Sequence, residues 1–366
     1  MKEILIKISI SYCRQAKLEW AYSVIYKYAK LNLVACVSCA SMQREGQSKL
    51  RKHKSRRRRL QPSSVGSPLS DTHLINSDVL DYGSNDEYRF IGGRRFHNVE
   101  TSKYLLPCDD DELDRLHVQH YICRHIWQRN YSAPVKERLG AGGAHVLDVG
   151  CGPGTWLIEM ANEFPRSHFT GIDISPVFPR EAKPDNANFL EANLLDGLPF
   201  ENDSFDYIHM RFLIAAFSKS EWETAINELV RVTKVGGIIE IVEDEIEPRN
   251  DGPISRLLFS AFFSDLKSRQ IDVTAYSHMT DLLGATECLT DIKKEEITAQ
   301  FGKWAGRVGT LLANNTGILF RTFRARFSSI LELENDEYDK LVEAWYQELN
   351  EYKPYSVGYR FLATKK

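Results

Sequence analysis

Long apolar runs are missing from this 366-residue sequence. The one at Leu31–Val37 falls far short of the roughly 18 residues that a membrane-spanning helix needs, so no membrane span is expected. Lys7, Arg14, Lys17 and Glu19 interrupt any early apolar core, which makes Met1–Ala40 a poor signal peptide and predicts an intracellular protein, cytoplasmic or nuclear. Cysteine is sparse and scattered, at Cys13, Cys36, Cys39, Cys108, Cys123, Cys151 and Cys288, an odd set unlike a secreted disulfide framework. Cys36 and Cys39 form a lone CxxC that, even with His53, is one ligand short of a structural zinc site. Free thiols are the ordinary reading, and no metal is expected. No internal repeat is visible. What is present, 43% hydrophobic and 27% charged residues with 22 Gly and 13 Pro, excludes a fibrous, collagen-like or wholly disordered chain. The length admits one large domain or two modest ones.

Charge is divided unevenly. Residues 1–85 carry 15 Lys and Arg against 6 Asp and Glu, a balance of +9, which leaves −12 on the remaining 281 residues. An acidic body repels a phosphate backbone, so no specific nucleic-acid partner is expected of it. Within the basic head, Lys49–Arg59 holds eight positive charges in eleven positions and precedes a Pro/Ser/Gly-rich piece at 62–70. Such a block repels itself and cannot bury, so 1–85 reads as a largely disordered extension. Its basic run is a candidate contact for nuclear import or a regulatory protein, against the plainer reading of a solvated tail.

The folded body is expected from residue 86. Acidic residues 109–112 cap a helix over 111–131, along which Leu113, Leu116, His120, Cys123 and Trp127 recur at three- and four-residue steps, and Pro134 suits the first turn of a second helix. This gives a helical leader over 86–140. From 141 to 245 strands and helices alternate. Strands are expected at 145–149, 168–173, 188–191, 205–209 and 237–243, with helices at 155–164 and 221–232, the pattern of a mainly parallel sheet covered on both faces. Residues 246–366 read as a helical cover, with helices at 252–270, 274–283, 298–327 and 336–350, a strand at 291–298 and a last strand at 355–364.

The sharpest chemical signal is Val146-Leu147-Asp148-Val149-Gly150-Cys151-Gly152-Pro153-Gly154. Closely spaced glycines after a strand let the next helix N-terminus approach a ligand that side chains would otherwise exclude. The spacing is not GxGxxG, which argues against a dinucleotide pyrophosphate and suits a smaller nucleoside with an amino-acid tail. Asp148 is placed to fix the ammonium of that tail. Asp173, 23 residues beyond Gly150 at the end of the next strand, is placed to accept two hydrogen bonds from a ribose diol.

In this order the motifs of 146–243 resemble the core of class I S-adenosylmethionine-dependent methyltransferases. The resemblance implies a seven-stranded, mainly parallel Rossmann-like α/β sheet with S-adenosylmethionine as cofactor. It implies that Gly150, Gly152 and Gly154 shape the cofactor loop, that Asp173, followed by Ile174, holds the ribose, and that Asn193 and Leu194 flank the adenine. Asn193 departs from the Asp often found there, but its amide oxygen also accepts hydrogen bonds. Leu198–Asp206 is similar to the family's turn into the fourth strand, and Lys234-Val235-Gly236-Gly237 stands where many relatives have Lys-Pro-Gly-Gly. Segments 97–100, 102–107 and 109–120 look like the leader of a fungal branch whose members often lack an assigned substrate, similar in general appearance to methyltransferase-like regulators of secondary metabolism.

The implied function is methyl transfer to an unidentified small-molecule or protein acceptor. The alternative is a cofactor-binding regulator or scaffold with weak or absent catalysis. The amino-directed nucleic-acid enzymes' Asn-Pro-Pro-Tyr motif does not occur at Ile208-His209-Met210-Arg211. His209 and Arg211, ending the fourth strand, are the candidate catalytic residues, against the plainer reading of a strand cap and a salt bridge. Tyr104, Tyr131 and Trp156 are candidate walls, Tyr104 as part of a lid over the cofactor. Glu240, Glu243, Asp244 and Glu245 read as a solvated acidic edge, with attraction of a basic or amine substrate as the alternative.

Overall fold

The computed structural model describes residues 88–366, apart from Gly92, Glu100 and Thr101. The expectations for 1–85, including Lys49–Arg59 and the Cys36–Cys39 pair, lie outside the described residues.

The leader is not wholly helical. It opens with an antiparallel hairpin, β1 (Tyr88–Ile91) paired with β2 (Arg94–His97), turned at Gly93 with φ +77°. Helix α1 (Asp110–Trp127) follows, its N-cap Asp109 accepting from the Glu112 N–H at 3.2 Å and its first turn carrying the acidic residues that favour the positive end of the helix dipole. After the short α2 (Lys136–Ala141) the chain enters the alternating region: β3 (His145–Val149), α3 (Thr155–Glu163), β4 (His168–Asp173), β5 (Ala187–Glu191), β6 (Phe205–Arg211), α4 (Lys219–Val232) and β7 (Thr233–Asp244).

These strands join the last two, β8 (Leu289–Gln300) and β9 (Tyr355–Lys365), in a seven-stranded sheet of order β5-β4-β3-β6-β7-β9-β8. Pairing is parallel from β5 to β7 and antiparallel on both sides of β9. The chain runs outward from β3 through β4 to β5, then returns to β6 on the other side of β3. That reversal opens a crevice at the carboxyl end of β3, where ligands bind in open α/β sheets.

Alternation along the strands sorts the two faces. Leu147 and Val149 of β3 and Ile208 and Met210 of β6 pack with Trp222, Ile226 and Leu229 of α4 and with Met279 and Leu283 of α6 (Ala275–Gly284). Val146 and Tyr207 face the other way, against Trp156, Leu157 and Met160 of α3. Asp148 and His209 therefore lie on the α3 side, polar residues beyond the apolar Val146 and Tyr207. The expected helix at 298–327 is divided: β8 continues to Gln300, Gly302 and Gly306 take φ +105° and +76°, and the helices are α7 (Gly306–Thr322) and α8 (Arg324–Ile330). With α5 (Pro253–Ser268) and α9 (Asn335–Tyr352), these helices bury Phe259, Phe262, Phe320, Phe327 and Trp345 together and cover the β7–β9–β8 side of the sheet's carboxyl edge.

Candidate active site

The β3–α3 turn takes φ of +66°, +52° and +74° at Gly150, Gly152 and Gly154, values that side chains adopt only with strain. The three glycines do different work. An added Cβ at Gly150 would lie 2.9 Å from Leu213 Cδ2, whereas at Gly152 the nearest atom is Leu116 Cδ1, 3.8 Å away across the cavity mouth. Gly154 is not on the cavity wall: a Cβ there would meet the Phe189 ring at 2.5 Å, so this glycine seats α3 on β5.

The cavity above this turn is bordered by Asp148, Gly150, Gly152, Asp173, Ile174, Asn193, Leu194, Tyr104, His209 and Arg211. Of the residues singled out from sequence, Tyr131 and Gly154 are absent from its wall, while Trp156 is part of it. Tyr131 instead packs edge-on to Phe164. Asp173 Oδ2 accepts the Gly152 N–H at 2.8 Å and Oδ1 accepts the Ser175 N–H at 2.9 Å. Each oxygen retains a lone pair for a further donor. Burial raises this carboxyl to about 6, against the opposing pull of those N–H groups. Asn193 Oδ1 accepts the Leu195 N–H at 3.1 Å and its Nδ2 donates to Asp196, which fixes the amide orientation at the rim.

His209 occupies the cavity floor and is 1% exposed. Its Nδ1 is 2.8 Å from Asp148 Oδ1, and its ring stacks on Trp156 with centroids 3.8 Å apart and planes at 5°. The register explains the meeting: Asp148 and His209 are cross-strand partners on β3 and β6. Burial, reinforced by Arg211, lowers the His209 pKa well below its ordinary value, and burial raises Asp148 to about 7. A neutral imidazole clamped on one edge and one face acts as a positioning residue beneath the cavity. Arg211 Nη2 donates to His120 Nδ1 at 3.2 Å, which leaves His120 Nε2 to donate to Glu159 Oε2 at 3.0 Å. His120, drawn down to about 4 by burial and then by Arg211, is neutral, and both of its nitrogens are engaged.

Several wall residues were given no site role from sequence: Gln119 and His120, within the leader segment 109–120, and Thr155, Phe212 and Glu221. Lys103 of the leader meets Glu221 at 2.8 Å, a clasp across the mouth beside Tyr104. Burial, with the Glu112 and Asp173 carboxyls, pushes the Tyr104 phenol well above its ordinary pKa, so it is a donor at neutral pH. The acidic edge is not solvated as a group. Glu240 and Glu243 are fully buried, Glu243 accepting the Leu213 and Ile214 N–H groups and Glu240 those of Ser132 and Ala133. Among the described residues, no group of three or more His, Cys, Asp or Glu is placed to hold a metal ion, and no helix is long and apolar enough to cross a membrane.

A glycine cradle, an unsaturated carboxylate one strand away and an apolar rim fit a nucleoside with an amino-acid tail. The fold is the Rossmann-like one of class I S-adenosylmethionine-dependent methyltransferases. A methyltransferase-domain family model matches residues 146–237. The chain is 28% identical over 239 residues to the secondary metabolism regulator LAE1 of Cochliobolus heterostrophus, across 63% of this chain and 76% of that protein. It is 29% identical to the protein-methionine methyltransferase laeA of Emericella nidulans, across 60% of this chain and 51% of the relative, so the match spans only about half of that protein's length. Phosphoethanolamine N-methyltransferase 2 of Haemonchus contortus aligns in structure at 19% identity and a TM-score of 0.41, over 71% of this chain and 60% of that one.

Proposed function

We propose that this chain transfers a methyl group from S-adenosylmethionine to an acceptor held beside Tyr104 and Phe212. The observation that carries the reading is the convergence of the Gly150–Gly152 cradle and the Asp173 carboxylate on one cavity at the strand-order reversal. In this reading Gly150 and Gly152 admit the amino-acid tail and Asp173 accepts from the ribose hydroxyls. Ile174 and Leu194 pack on the adenine, and Asn193 accepts from its amino group. Held by Gly150, Gly152 and Asp173, S-adenosylmethionine would supply an already activated methyl from its sulfonium. The chain's part is alignment and exclusion of water, so an acid/base triad is not required. His209 and Arg211 hold the floor and the α1 wall in place.

The test is calorimetric titration of the full chain with S-adenosylmethionine and, separately, with the oxidised nicotinamide dinucleotide. The former alone is expected to bind, and Asp173→Ala is expected to weaken it by about 1–3 kcal/mol through lost charge-assisted bonds. Unchanged affinity in the folded variant refutes the placement of the ribose.

The regulator names of the relatives favour a second reading, a cofactor-binding regulator with little turnover that acts inside the cell, in cytoplasm or nucleus, through Lys49–Arg59. Both readings share cofactor binding. Methyl incorporation into a defined acceptor supports the enzyme, whereas a partner captured through Lys49–Arg59, with no such incorporation, supports the regulator.

A further inference from the structure

Beside the cofactor cavity lies a second chamber, and the two share Tyr104, Leu116, Gln119 and Phe212 as a common wall. Phe212 holds that wall at φ +60°, a left-handed conformation unusual for a large side chain, with its N–H bonded to Val242 O at 3.0 Å. The rest of the chamber is mostly apolar, built from α1, α5, α7 and the β8–β9 edge, with Trp127, Phe259, Phe262, Ile297 and Leu319 among its lining.

One carboxylate stands apart in that lining. Glu243, outside the lining, accepts one backbone N–H on each oxygen, and Glu245 is paired with Arg249 at 2.9 Å and with the Tyr276 hydroxyl at 3.4 Å. The carboxylate of Asp244, at the end of β7, makes no hydrogen bond or ion pair among the described residues and borders the chamber. Burial raises it to about 7, with Arg211 opposing the rise. Its cross-strand partner is Gly358, where a Cβ would come within 2.9 Å of Asp244 Oδ1 and 3.4 Å of Ile297 Cγ2. The glycine keeps the corner around this carboxylate open. A partly buried acceptor without a protein donor, in an apolar chamber, is costly unless a ligand supplies the donor.

From this geometry we infer that the second chamber is the acceptor pocket, and that it takes an apolar small molecule bearing an amine whose N–H groups are accepted by Asp244. The word acceptor rests on the proposed methyl transfer; the amine site itself does not. Apolar walls supply affinity without direction, and the single free carboxylate orients one end of the ligand relative to the shared wall.

The probe is 1-naphthylmethylamine, titrated by its own fluorescence into the full chain saturated with S-adenosylhomocysteine, with 1-naphthoate as the anionic control. The amine is expected to bind one to one and naphthoate at least tenfold more weakly. Asp244→Asn is expected to weaken the amine by roughly tenfold without changing S-adenosylhomocysteine binding, because one charge-assisted contact is lost. Thr316→Trp, which fills the chamber from α7, is expected to abolish probe binding while S-adenosylhomocysteine still binds. The inference is overturned if the loaded wild-type chain binds no amine, if amine and naphthoate bind alike, or if both variants bind the amine as the wild type does. Failure of S-adenosylhomocysteine itself to bind refutes the methyl-transfer reading instead, and titration of the amine without it still decides the chamber.

Discussion

Gly152 and Gly154 share a positive φ but differ in what surrounds them, so the same substitution has different consequences. Alanine at either position bears a left-handed backbone cost of roughly 1–2 kcal/mol. At Gly154 its methyl also meets Phe189, whose ring is held by stacking on Phe178 with centroids 5.1 Å apart and cannot simply swing away. Gly154→Ala is therefore expected to lower Tm more than Gly152→Ala. Gly152→Ala, with open space before it, is expected to weaken S-adenosylhomocysteine binding more than it weakens the fold. Thermal melts and calorimetry on both variants check the pair, and equal losses of Tm refute the division of labour. Asp173 adds a pH dependence. Because burial raises its carboxyl to about 6 and the ribose hydroxyls donate to the ionised form, affinity is full above pH 6 and declines as pH falls through that value. The same titration between pH 5 and 8 should be flatter in Asp173→Ala. At this scale the glycine spacing and Asp173 were legible because their chemistry is local. The burial of His209 was not, because its partner Asp148 is 61 residues away and meets it only through the register of β3 and β6.

Among the elements, residues 102–104 ahead of α1 line the cofactor cavity and are clasped to α4. Lys103 reaches Glu221 of α4 at 2.8 Å, and Arg269 Nη1 donates to Lys103 O at 3.3 Å. Glu221 also caps its own helix, with Oε2 accepting from the Ser218 N–H and hydroxyl, so Lys103 is the side on which to break the clasp. A half-exposed ion pair of this kind is worth at most about 1 kcal/mol. Lys103→Ala is expected to leave Tm within about 2 °C and to speed release of S-adenosylhomocysteine by a few fold, measured by stopped-flow displacement. An unchanged release rate refutes a role for the clasp in retention. The helix and strand alternation of 141–245 was legible because each element there carries its own period. The Gly-Gly pair between two short runs is the local mark of the β1–β2 hairpin, but the runs are only four residues each, too short to outweigh the strong helical period of α1 that follows. The break at Gly302–Gly306 inside the expected 298–327 helix was marked by the two glycines. The strand that precedes them is expected at 291–298 and runs Leu289–Gln300, so only its carboxyl end is lost to the expected helix, because its polar, exposed edge pattern gives no sharp boundary.

Across the whole molecule, the row that starts at Asp148 and His209 continues to Glu240 on β7, and there it ties the leader to the sheet. Glu240 accepts the Ser132 and Ala133 N–H groups and the Tyr207 hydroxyl, and lies 3.6 Å from Arg360 Nε of β9. Arg360 donates in turn to Ser132 Oγ and to Arg129 O, with its guanidinium 4.3 Å from the Trp127 ring centroid. Residues from the end of α1, from β6, from β7 and from the last strand thus share one buried cluster, joining segments more than 200 positions apart. No local pattern announces such a cluster, since Glu240 and Arg360 each look like ordinary surface charges in an acidic chain. The two ends are not equivalent. Removing Arg360 leaves Glu240 with three donors, so its charge remains solvated by the protein. Removing Glu240 strands a buried guanidinium and three donors at once, the situation that costs about 3–5 kcal/mol when a buried pair loses one partner. Glu240→Met is therefore expected to destabilise the fold by about twice as much as Arg360→Met, measured by urea denaturation at pH 7. An equal loss, or the reverse order, would mean that the arginine and its contacts with Trp127 and Arg129, rather than the glutamate, join the leader to the sheet.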